Sequence, residues 1–136
     1  MRGTWGMQKL LKANFLNTDV DEHTNVLIIG FADDEFNANE YVLLQKSLVT
    51  DDKRLESNEV NITYNDEIRS TFGGILNVVL YKDCVEIELD NNASRQLQTE
   101  KTIQISFAEK DDNLLKLKTH LMTMFQDHEG VFKSEV

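Results

Sequence analysis

Along residues 84–90, "CVEIELD", apolar Val85, Ile87 and Leu89 alternate with acidic Glu86, Glu88 and Asp90. Successive side chains of a strand point to opposite faces, so this is the period of a half-buried β-strand. "EVNITYN" (59–65) sets Val60, Ile62 and Tyr64 against Glu59, Asn61 and Thr63, and "KTIQISFA" (101–108) sets Ile103, Ile105 and Phe107 on one side. "NVLIIGFA" (25–32), "YVLLQKSL" (41–48) and "ILNVVLY" (75–81) are short apolar runs rich in β-branched and aromatic residues, which predicts further strands. "MQKLLKANFL" (7–16) suits a helix or a strand; a first strand pairing with 25–32 across a polar hairpin is the reading adopted.

The period changes after Ala108. Leu114, Leu117, Leu121 and Phe125 fall at helical spacing, with Leu115 and Met122 widening the stripe. Asp111, Asp112 and Asn113 are N-cap candidates, and the acids there suit the helix dipole. One strong helix after a run of strands predicts an α+β fold. The expectation is one mainly antiparallel sheet of about six strands, with a C-terminal helix over 109–127 packed on one face. Residues 8–108 are expected to be mostly β and residues 1–7 an extension, with Met7 a second candidate start, in a single domain over 1–136.

Punctuation falls to Gly, Asn and Asp, because the chain contains no proline. Gly73-Gly74 predicts a bend or bulge ahead of the strand at 75–81. The loop-like stretches are "NTDVDEHTN" (17–25), "DDEFNANE" (33–40) and "VTDDKRLESNE" (49–59). Binding loops are most easily placed in the last two.

Charge narrows the partners. The net charge is −10, and the excess is spread, with 13 acids against 7 bases in residues 1–70 and 11 against 7 in residues 71–136. Such a chain repels phosphate backbones and anionic lipid, so no nucleic acid and no membrane is expected as a partner. A basic protein is attracted. The lone Cys84 excludes an internal disulfide, which fits a reducing cytoplasm, as does the absence of a convincing signal peptide or apolar span.

Catalytic patterns are weak. Glu86 and Glu88 stand about 7 Å apart along a strand, within the range of some carboxylate pairs. They lie opposite the apolar face, however, which predicts a wet or docking surface rather than a cleft. His23, His120 and His128 lack zinc-ligand spacing, "DVDEH" lacks the Gly and Glu of a calcium loop, and neither a nucleophile elbow nor a P-loop occurs. Neither metal nor cofactor is expected.

Several stretches in order, "GFADDE" (30–35), "YVLLQKSL" (41–48), "IRSTFGGILNVVLYKDCVEIEL" (68–89) and "TIQISF" (102–107), followed by the helix, resemble the immunity protein 10 family of bacterial polymorphic toxin systems. The similarity covers about residues 8–126. It implies a cytoplasmic, non-catalytic protein that binds and neutralises a cognate toxin, with no catalytic residues to carry over. Many toxins that attack nucleic acids are basic, so an acidic face is the expected docking element. The residues expected to contribute are Asp33, Asp34, Glu35, Asp51, Asp52, Glu86, Glu88 and Asp90, with Phe36 as an apolar anchor. A homo-oligomer formed through a sheet edge is the alternative, and a small enzyme on the same scaffold a third reading.

Overall fold

The segment 7–16 is divided by a change of partner. Gln8–Lys12 forms β1 and Phe15–Asp21 forms β2. Between them, Ala13 donates its N–H to the Ser106 carbonyl and Asn14 donates to the Ala32 carbonyl. Those two carbonyls belong to different sheets, so consecutive residues carry the chain from one sheet to the other. The computed structural model describes residues 8–48, 59–108 and 111–136. The expected extension at 1–7, Asp51 and Asp52, and the expected helix start at 109–110 lie outside the described residues.

The remaining strands are β3 (Val26–Ala32), β4 (Tyr41–Ser47), β5 (Asn61–Tyr64), β6 (Asp66–Phe72), β7 (Ile75–Leu80), β8 (Cys84–Leu89), β9 (Thr102–Ser106) and β10 (Phe132–Ser134). Helix α1 spans Asn91–Leu97 and α2 spans Asp111–Met124. Mixed α+β architecture and a C-terminal helix agree with expectation, but there are two five-stranded sheets where one of about six strands was expected. Sheet one has the order β1-β9-β8-β7-β10, and sheet two is the antiparallel meander β2-β3-β4-β5-β6. The edge strands of sheet one, β1 and β10, pair in parallel with β9 and β7.

Both sheets and both helices bury their apolar positions in one core. Leu27, Ile29 and Phe31 enter it from sheet two, and Ile87, Leu89, Ile103 and Ile105 from sheet one. The Phe31 and Phe107 rings stack across the gap with centroids 6.4 Å apart. Helix α2 packs against β2, β3 and β10. Its Leu114, Leu117 and Leu121 are buried as expected, as is Phe125 just beyond its end, and Met124 joins them. Leu115 and Met122 are exposed instead. At about 100° per residue they sit a quarter-turn off the stripe.

Four elements escaped the periodic reading: β2, β6, α1 and β10. β2 runs through the expected loop 17–25: Leu16, Thr18 and Val20 share the inward register of Phe31, Ile29 and Leu27, while Asn17, Asp19 and Asp21 face outward. Turn-forming residues on the wet side concealed a strand. The turn itself shrinks to residues 22–25, where Asp21 Oδ1 accepts from His23 N at 2.9 Å and Asn25 adopts φ 57°. Helix α1 and β10, at 7 and 3 residues, are too short to show a period.

Candidate functional site

The acidic row on β8 lies on the outside of sheet one. Glu86 stands between Gln104 and Val79, and Glu88 between Thr102 and Asn77. Neighbours on three strands crowd the row, so both glutamates are half-buried rather than fully washed by water. Asn77 Nδ2 donates to Glu88 Oε1 at 2.7 Å. Glu86 Oε1 is sealed from solvent and has no hydrogen-bond partner among the described residues. A shallow crevice of about 250 Å³ runs along the row, with Lys133 on its far wall. It is a polar groove on a sheet surface.

Asp90 leaves the strand and performs local work. Its backbone is extended, and its Oδ1 accepts from Ala93 N at 2.8 Å, capping α1. Helix N-termini leave such donors unpaired, and an aspartate there satisfies one while opposing the dipole. Gly74 sits against the same cap: its carbonyl accepts from Asp90 N at 2.9 Å.

Asp33, Asp34, Glu35 and Phe36 occupy the connection between β3 and β4, at the Ala32–Tyr41 end of sheet two. Asp33 Oδ1 accepts from Asn39 N and Glu40 N, at 2.9 and 3.2 Å. Asp34 Oδ2 accepts from Phe36 N and Asn37 N, at 3.1 and 2.8 Å. Two of the three acids therefore fold the loop upon itself, as aspartates do in turns. The loop holds Glu35 out in water and Phe36 at 86% exposure. The expected residues thus do not gather. The loop group belongs to sheet two and the Glu86–Glu88 pair to the outside of sheet one.

A further surface was not anticipated. β3 and β4 are apolar on both sides, and so read as strands buried on both faces. Among the described residues only one side is covered. Val26, Ile28, Tyr41 and Leu43 are half-exposed. Leu43 leans over Gly30: its Cδ1 would lie 3.5 Å from a β-carbon there, an ordinary contact. β6 brings Phe72 opposite Asn61 on this side, at 62% exposure, and Ile68, in the register shift of the same edge strand, is 81% exposed. A sequence signal existed: "VLIIGFA" and "YVLL" alternate too little for strands with one wet face. What covers each side is not written in that run.

Two groups on sheet two and its margin titrate abnormally. The Tyr41 phenol is raised, first by burial and then by the nearby Asp66 and Glu67 carboxylates. The Lys9 ammonium is raised by its hydrogen bonds to Glu40 and Tyr64; its Nζ lies 2.6 Å from Glu40 Oε2. Among the described residues no three His, Cys, Asp or Glu side chains cluster as a metal site, and no helix is long and apolar enough to cross a membrane.

Compared with models of known protein families, residues 12–115 match the one described as Immunity protein 10. No curated protein matches the chain.

Proposed function

The chain belongs to the Immunity protein 10 family, whose model spans most of its length, and on that premise we propose that it binds and neutralises a basic cognate toxin of a bacterial polymorphic toxin system. The family match is the observation that carries this reading. Membership implies a toxin-neutralising immunity role, which is work done by binding. The charge of −10 supports a cationic partner, because opposite net charges steer encounter and raise association rates. We place the protein in the cytoplasm, where the producing cell has to intercept its own toxin.

The acids expected to dock lie on different sheets, and a single partner face covers one group or the other. We propose the β3–β4 loop. It joins carboxylates to an exposed aromatic, and buried aromatics rather than rim charges dominate affinity. Asp90 is committed to its helix cap.

The test uses the toxin domain encoded by the reading frame upstream, inactivated for purification and active for growth assays. Co-purification, growth protection and an association rate that falls with added salt are expected. The triple variant D33N/D34N/E35Q keeps the oxygens that accept the loop's N–H groups and removes their charge. It should slow association. Unchanged rate and unchanged protection would discard the loop as a contact, and failure of the wild-type chain to bind would discard the function.

A further inference from the structure

Sheet two has an outer face that nothing covers among the described residues. The inward residues of its strands enter the core together with the buried stripes of both helices. Ile28, Tyr41 and Leu43 lie on the opposite side, outside the residues packed against that core. Phe72 extends the same side across β6, and Ile68 is exposed on that edge strand. Exposed apolar surface on an uncovered sheet face marks an interaction site. Asn61, Thr63 and Ser70, also on this side, hydrogen-bond to one another, Asn61 Nδ2 to Ser70 Oγ at 2.9 Å and Thr63 Oγ1 to Ser70 Oγ at 3.0 Å. Groups already paired lose less when water is removed.

Acids stand at both edges of the face. Asp19 stands beside Ile28, and Asp21 beside Val26, on edge strand β2. Asp66 and Glu67 are exposed at the other edge, close to Tyr41. On β2, β3, β4 and β5 no lysine or arginine occupies an outward position. Lys46 points inward, to Asp127 at 3.2 Å. The Phe36 loop leaves from the Ala32–Tyr41 end and prolongs the face.

We propose that this face is the toxin-docking surface, and that it takes a protein partner with an apolar centre ringed by lysine and arginine. The inference rests on the immunity role proposed above and names the site for it. A second copy is the poorer occupant: twofold contact sets each acidic edge against like charge. Nucleic acid is repelled by the same acids.

Binding to the inactivated upstream toxin domain is measured by biolayer interferometry, with each variant's fold checked by circular dichroism. Phe72→Ser, alone and with Leu43→Ser, should raise Kd by about tenfold or more, chiefly through faster dissociation. D19K/D66K, at two exposed sites, should cut the association rate about tenfold at low salt and flatten its salt dependence. E86Q/E88Q, on the other sheet, should stay within roughly twofold of wild type. Wild-type binding with all sheet-two variants within that same range overturns the docking face and leaves the function standing. No wild-type binding overturns the function and this face with it. A wild-type dimer by light scattering that Phe72→Ser dissociates overturns the choice of occupant.

Discussion

Replacing Gly74 with alanine tests how the Gly-Gly bend holds helix α1. Gly74 has φ +85°, and a β-carbon there would lie 2.6 Å from Ala93 Cβ and 3.2 Å from Asp90 Oδ1. Ala93 is fully buried, and Asp90 is the cap of its helix. Carbon atoms rest at about 3.5–4.0 Å, so the contact is short by about 1 Å. Overpacking of that kind costs about 1–3 kcal/mol. A left-handed backbone adds about 1–2 kcal/mol for a residue with a β-carbon. Lost entropy of the unfolded chain returns about 0.4–1 kcal/mol. The net expectation is a loss of roughly 1.5–4 kcal/mol, large against a typical 5–15 kcal/mol. Gly130 supplies the control, because its φ is +83° and nothing among the described residues lies within 4 Å of its would-be β-carbon. Gly130→Ala isolates the backbone cost. Gly73→Ala should fall between the two, since its β-carbon meets the Glu59 carboxylate at 2.8 Å, the far end of a side chain that can swing away. Urea denaturation followed by circular dichroism gives the three free energies, and each kcal/mol shifts Tm by about 2–6 °C at this size. If Gly74→Ala loses no more than Gly130→Ala, the packing of α1 on the bend is refuted.

Asp90→Ala should cost about 0.5–2 kcal/mol through the lost cap, and Asp90→Asn much less; equal losses in urea melts would mean that charge rather than the hydrogen bond is what α1 uses. Lys9 and Tyr41 both hold their protons to higher pH in the folded chain than when unfolded. Their contribution is therefore complete below the unfolded values near pH 10 and is lost as pH rises through the folded ones. The urea midpoint should fall as pH rises above about 10, and Lys9→Met with Tyr41→Phe should flatten part of that slope; an identical slope in the double variant refutes the assignment.

What the residues determine alone is the periodic content. β3, β4, β7, β8 and β9 fall where their patterns place them, because side chains of regular elements must sort between core and water. The buried stripe of α2 follows from the same rule. So does the bend at Gly73-Gly74, where both residues take the positive φ that a β-carbon resists. Tertiary structure decided the rest. Two sheets replace one because Ala13 and Asn14 bond to carbonyls of different strands, a choice between partners far apart in sequence. The wet alternation of β8 became a crowded groove once Thr102, Gln104 and Asn77 arrived from its neighbours. The open apolar face escaped sequence reading for the deepest reason. A strand that is apolar on both sides reads the same whether its second side meets the core, a partner or water, and only the positions of the other elements distinguish these.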